Sequence, residues 1–222
     1  MTPITEATGE ILYQEKFSNG LEQWHHEGAG EITQPESGIM QLNCIGSAQG
    51  GAGCHAFCRQ DFPDDIALSF DLRILTSNGL LITFLALQGL NGEDAIEGLP
   101  PREGYFREYV RVDARLKSYH VSVSRYNDRG EHTGVSNFRR NPGLFLVGQG
   151  PDLCKEIGRQ YRITIIKSGR NGQLGVNGEV AHQFTDWQNG SAPIPAEGKI
   201  GFRAIGSEVI AQISNLTVTA LR

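Results

Sequence analysis

The chain of 222 residues carries 20 Lys and Arg against 25 Asp and Glu, a formal net charge of −5, with 39% hydrophobic and 20% charged residues. That balance excludes a disordered chain. Acidic and basic residues are interspersed without a basic block, which excludes a nucleic-acid backbone as partner. No apolar run approaches the roughly 18 residues of a helical membrane span, so no membrane partner is expected, and residues 1–6 lack the charged and apolar regions of a signal peptide. The expected location is the cytoplasm, or the periplasm if a leader has been trimmed.

Period-two alternation recurs along the chain, and no window sustains a helical stripe beyond about two turns. In chain order, strands are expected over 39–44, 55–60, 66–75, 80–87, 109–113, 118–126, 161–167, 173–176, 179–184, 199–204 and 211–220. The 28 Gly and 9 Pro suit the tight turns that such strands need. Asn171-Gly172 and Asn177-Gly178 each sit between alternating runs, the pattern of a two-residue hairpin turn, and 173–184 reads as a hairpin. Segments 89–104 and 127–150 alternate weakly and read as long loops, where function usually sits on a rigid scaffold. The expected architecture is all-β: one domain over 1–222, a two-sheet antiparallel sandwich.

Cys44, Cys54, Cys58 and Cys154 are few and irregularly spaced, which favours buried free thiols over a disulfide framework. Cys54-His55-x-x-Cys58 is not read as a zinc site, because an extended segment puts His55 on the face opposite both cysteines. The sequons Asn189-Gly-Ser191 and Asn215-Leu-Thr217 need a secretory route and are given no role. Faces are more informative. In 118–126, Tyr119, Val121 and Val123 point one way and His120, Ser122 and Ser124 the other, so one face is apolar and the other polar. An extended Asn137-Phe138-Arg139 would bury Phe138 and leave Asn137 and Arg139 on the open face. Arg203 alternates against Phe202 in the same manner and reaches either the groove or solvent.

Several segments together resemble the YesU-like proteins, a bacterial family of unknown function: Gln23-Trp-His-His-Glu-Gly-Ala-Gly-Glu-Ile32, Phe62-Pro-Asp-Asp-Ile66, Gly89-Leu-Asn-Gly-Glu-Asp94, Gly104-Tyr-Phe-Arg-Glu-Tyr109, Asn137-Phe-Arg139, Tyr161-Arg162 and Gly198-Lys-Ile-Gly-Phe-Arg203. The resemblance runs over nearly the whole chain. It implies a concanavalin A-like jelly roll, a bacterial source and a setting in the breakdown of polysaccharides that contain uronic acids. Some relatives resemble oligosaccharide dehydratases, and several polysaccharide lyases use this sandwich with His, Tyr and Arg in the groove. An acidic oligosaccharide is the implied partner. No cofactor is implied beyond the structural calcium common in such sandwiches, and no Asp and Asn cluster here has a recognisable calcium-loop spacing.

Elimination across C4–C5 of a uronic acid needs three groups. The C5 proton is acidic only because the neighbouring carboxyl takes up charge, so a clamp must neutralise that carboxylate; Arg139 and Asn137 are the candidates, with Ser122, Glu93 and Arg203 as further substrate contacts. A base takes the proton, for which His120 and His55 compete. A third group supports the departing oxygen, and Tyr105 and Tyr109 lie where the family motif places it. The alternative expectation is a non-catalytic carbohydrate-binding sandwich, which needs no titrating His at the centre of its groove.

Overall fold

The computed structural model describes residues 9–44, 51–188, 190, 192–206 and 208–221. Over these the chain forms β1 (Ile11–Glu15), β2 (Trp24–Gly28), β3 (Glu31–Thr33), β4 (Met40–Asn43), β5 (Cys54–Phe62), β6 (Ile66–Ile74), β7 (Gly79–Gly89), a single helical turn α1 (Arg107–Val110), β8 (Leu116–Tyr126), β9 (Val135–Asn141), β10 (Phe145–Pro151), β11 (Gln160–Ser168), β12 (Asn171–Val176), β13 (Glu179–Thr185), β14 (Gly198–Ile205) and β15 (Ile210–Ala220). One sheet runs β13-β12-β11-β6-β15-β4-β3, with β1 also pairing β15; the other runs β10-β9-β8-β7-β14-β5-β2. The pairings are antiparallel, as an all-β sandwich requires. No helix among the described residues is long and apolar enough to cross a membrane.

Alternation explains the main core: Phe70, Leu72 and Ile163 of the first sheet face Tyr119, Phe138 and Phe202 of the second. Each large apolar side chain so buried is worth about 1.5–3 kcal/mol. The second sheet is buried on its outer face as well. In β7, Leu81 and Leu85 enter the main core, while Ile82 and Phe84 join Phe57, Tyr109 and Val110 in a smaller cluster beneath segment 90–115.

A polar clip holds that segment down. Glu27 of β2 is only 7% exposed; it accepts Arg102 Nε at 2.9 Å and the Tyr109 hydroxyl at 2.6 Å, and Arg102 Nη2 reaches its second oxygen. At the foot of the segment, Gly104 (φ +88°) meets Gly28 (φ +87°) so closely that a Cβ on Gly104 would lie 2.3 Å from the Gly28 Cα.

Several elements differ from the sequence expectation. Residues 109–113 are not a strand: Tyr109 and Val110, adjacent in sequence, both bury against the sheet from α1, which a strand's alternation does not permit. The 127–150 segment contains β9 and β10, whose outer faces are polar and so hide the alternation. Edge strands β1, β2 and β3 are only three to five residues long, too short for alternation to reveal them. The Asn177-Gly178 turn forms with φ of 52° and 82°, but Asn171 and Gly172 lie inside β12, and a Cβ on Gly172 would strike the Phe184 ring at 2.2 Å. Gly172 serves close approach, and the turn falls at Gly169 (φ +52°) and Arg170. The four cysteines are free and buried. The Asn189 and Ser191 ends of the first sequon lie outside the described residues.

Gly104→Ala should therefore cost more than backbone strain alone, about 2–4 kcal/mol in urea denaturation. Gly92→Ala, also at positive φ but with nothing within 4 Å of the new Cβ, should cost only about 1 kcal/mol. Equal losses would remove the close-approach argument.

Candidate functional site

Two cross-strand rows build the floor of a cavity on the outer face of the second sheet. The first runs Gln149, Asn137, Ser122, Ile82, Arg203, His55 and Glu27 from β10 to β2. The second, two residues along, runs Leu146, Arg139, His120, Phe84, Gly201, Phe57 and His25. Residues two apart in a strand share a face, so the polar centre of both rows points the same way. The cavity above them, about 280 Å³, is lined by His120, Ser122, Asn137, Arg125, Arg139 and Arg203, with Phe106, Leu144, Leu80, Ile82 and Ile205 as apolar walls.

Five of the residues singled out from sequence thus come together: His120, Ser122, Asn137, Arg139 and Arg203. Four do not line this cavity. His55 is fully buried, stacked on Tyr109 at 4.4 Å with Nδ1 3.2 Å from the Gly53 carbonyl; burial first, and Arg203 next, hold it neutral with a pKa well below the usual histidine range. The Tyr109 hydroxyl is committed to Glu27. Tyr105 lies under the Arg107 guanidinium at 4.4 Å. Glu93 is half-buried and folds back on Asn91, accepting its backbone N–H at 2.9 Å and its side-chain amide at 3.0 Å. Trp24 packs in the core against Phe17 and Phe202, whereas Trp187 is 77% exposed.

Three residues were not read from sequence. Arg125 falls out of phase with His120 and Ser122 under strict alternation; a left-handed Ser124 (φ +50°) inserts a bulge that turns Arg125 onto their face. Phe106, from the covering segment, lies 4.7 Å from the Arg203 guanidinium and edge-on to His120. Asn141 continues the 137, 139 alternation by one more step, and its Nδ2 lies 2.8 Å from His120 Nδ1 and 2.9 Å from Ser118 Oγ.

The charge on this lining is one-sided. Arg203 is fully buried, and its Nη2 donates to the Gly51 carbonyl at 3.0 Å, but Nε and Nη1 have no hydrogen-bond partner. Burial pushes its pKa down to about 10, so it remains cationic at neutral pH. Arg139 donates to the Leu144 carbonyl and Arg125 to the Val135 carbonyl. Among the described residues no carboxylate forms an ion pair with any of the three guanidinium groups, although the Arg125 backbone N–H donates to Asp152 Oδ2 at 2.8 Å, and none lines the cavity. Burial, then Arg139 and Arg203, pushes the His120 pKa down to about 3, so that ring is neutral. A buried cation lacking a counter-charge is costly and marks a place for an anion. Among the described residues no group of three or more His, Cys, Asp or Glu is placed to hold a metal ion.

A family model for a domain of unknown function, DUF1961, matches residues 10–218. The chain belongs to the DUF1961 family. Similar to this DUF1961 chain is the uncharacterized protein YesU of Bacillus subtilis (strain 168), 27% identical in an alignment of 202 positions that covers 88% of this chain and 89% of that one. A Bacillus subtilis protein of unknown function with a galectin-like fold superposes with a TM-score of 0.85 at 24% identity, covering 98% of this chain and all of that one. A prokaryotic β-1,3-1,4-glucanase from a mouse hindgut metagenome superposes with a TM-score of 0.62 at 12% identity, covering 94% of this chain and 99% of the other. The YesU-like resemblance and the jelly-roll sandwich expected from sequence both hold for this DUF1961 chain.

Two outcomes follow for stability. Replacing Arg203 by Met removes an unpaired buried cation and should raise the unfolding free energy in urea denaturation by about 1 kcal/mol or more; a lower value would show the cation to be satisfied. His120, and His182 with a pKa pushed down to about 4 by burial, stay neutral in the native state where the unfolded chain, at 6.5, takes up protons. Stability from both is therefore full above about pH 6.5 and lost as pH falls toward 3–4. The midpoint should drop more over that window for the native chain than for a His120→Gln, His182→Gln double variant, and equal drops would refute it.

Proposed function

We propose that this cavity holds the carboxylate of a uronic-acid residue in an oligosaccharide, and that His120 moves the proton in an elimination across its C4–C5 bond. The observation that carries the reading is the convergence of three cations that lack carboxylate partners with one neutral imidazole. A planar guanidinium matches a carboxylate bidentately, and cations fixed in a water-poor site stabilise the enolate-like charge that develops as the C5 proton leaves. That proton passes to His120 Nε2, its electron pair becomes the C4=C5 double bond, and the C4–O bond breaks with its own pair. The imidazolium then returns the proton to the departing oxygen, releasing an alcohol, or water when O4 is a free hydroxyl. The expected tyrosine acid is absent from this scheme because neither Tyr105 nor Tyr109 lines the cavity, so both proton steps fall to His120.

An approaching carboxylate also changes the base. It offsets the field of Arg139 and Arg203 that helps keep the ring neutral, so the His120 pKa rises in the complex toward the range a proton carrier needs. The likeness to a galectin-like fold and to a glucanase supports a sugar as ligand. Hydrolysis is not favoured, since it needs two carboxylates across the bond and none lines the cavity. The lack of a tyrosine favours one second reading, a non-catalytic module that binds the same acidic sugar.

Incubation with a panel of uronic-acid oligosaccharides, followed by the ultraviolet absorbance of the conjugated product, separates the readings. A rise that falls about a hundredfold or more in His120→Gln, and that Arg203→Met also suppresses, is the expected outcome. A flat trace with saturable binding by calorimetry would establish the binding module instead, and a flat trace without binding would overturn both.

A further inference from the structure

We propose that Asn141 is a positioning residue: the end of its amide turned toward His120 decides whether Nε2 meets the ligand as an N–H donor or as a lone pair. The inference rests on the elimination reading of the same cavity, and deepens it by naming what sets the proton carrier's tautomer.

Asn141 and Ser118 are fully buried and His120 nearly so, which leaves little water to compete for their hydrogen bonds. Both contacts of the Asn141 amide are made by Nδ2, to His120 Nδ1 at 2.8 Å and to Ser118 Oγ at 2.9 Å, while Oδ1 is buried without a partner. A neutral imidazole that accepts at Nδ1 carries its proton on Nε2. In this arrangement the ring offers the cavity a donor, suited to holding a substrate oxygen but unable to take a proton.

Half a turn of the amide reverses the roles. Oδ1 then accepts from Nδ1–H and from the Ser118 hydroxyl, which can donate as readily as accept, and Nε2 becomes a lone pair facing the cavity. Each orientation keeps two hydrogen bonds. The observed one leaves a single acceptor unpaired and the turned one leaves an NH₂ group unpaired, so the donor form is the resting state and the base form lies close above it.

Among the described residues nothing else near the ring is placed to set its tautomer. The charged groups facing it are Arg139 from β9, Arg203 from β14 and Arg125 from β8, all donors that cannot accept Nδ1–H. Phe84 and Phe106 contact it only through their rings, edge-on at 5.6 and 6.0 Å. Among the described residues no carboxylate takes the orienting place that an acid holds in a His–Asp pair.

The test reads ring-nitrogen chemical shifts of His120 in the full chain labelled at histidine, beside steady-state kinetics. The unsubstituted protein should carry its proton on Nε2. Asn141→Asp, which can only accept at neutral pH, should move it to Nδ1 and shift the acid limb of the pH–rate profile upward; Asn141→Ala should give both tautomers. The Ala variant, which buries no charge and supplies the answer if the Asp variant fails to fold, should lose about tenfold or more in kcat with KM nearly unchanged. The same tautomer in all folded variants would overturn the inference. A tautomer that follows residue 141 in a protein that turns over no uronic-acid sugar would instead leave the inference standing and overturn the elimination.

Discussion

The Glu27 carboxylate sits at the edge of the second sheet, buried, and bound on one side by Arg102 and on the other by the Tyr109 hydroxyl. Both partners come from segment 90–115, so a single charge in a strand fastens the cover that seals the outer aromatic cluster. Removing one member of such a buried pair typically costs about 3–5 kcal/mol, because the other is left charged and unsolvated. The clip also settles the electrostatics of the cavity. Glu27 lies in the same cross-strand row as Arg203, two strands away across His55, or about 10 Å at normal strand spacing. With Glu27 committed to Arg102 and Tyr109, Arg203 has no counter-charge among the described residues. The cover and the unpaired cation are two consequences of one carboxylate.

The neutral histidine follows from the unpaired cations. His120 is directly opposite Arg139, and Arg203 lies two strands away; with burial they push its pKa far below that of a free imidazole. The ring is held by neutral groups only, the Asn141 amide beside it and the edges of Phe84 and Phe106. Each interaction on this face thus favours a state in which positive charge stays on the guanidinium groups and the imidazole carries none.

Much of this was legible in the sequence where one face of a strand is apolar. Tyr119, Val121 and Val123 announced β8, and with it the opposite face bearing His120 and Ser122; Phe138 did the same for Asn137 and Arg139. The reading failed where the outer face is buried too or where the strand is an edge. Val110 and Val112 imitate alternation, yet Val112 is exposed while Tyr109 and Val110 bury side by side from a helical turn, because the outer face of the second sheet is itself apolar at Phe57, Ile82 and Phe84. Arg125 was hidden by a left-handed residue that shifts the phase of β8 by one, a feature with no period to detect. Tyr105 and His55 carried chemistry that suits a sugar-modifying site, but sequence-distant contacts set their surroundings, the bridge from Ala52 to Tyr105 and the stack of Tyr109 on His55, and no local pattern reports those.

In the proposed elimination, binding and proton transfer at this face depend on the same charge balance. In that reading Arg203, without a counter-charge among the described residues, is a destabilising cation and the neutral His120 a poor base; an anionic ligand would relieve the first and reverse the second. A module that only bound acidic sugars would gain from the first effect and have no use for the second. The arrangement around His120 exceeds what binding requires: a buried amide able to present either end to the ring, and a serine able to follow it. A buried polar network is costly unless each member is satisfied, and here Asn141 Oδ1 is not. An amide fixed only to stabilise the sheet would pair both of its ends, whereas one that must turn between two states has to leave one end open in each.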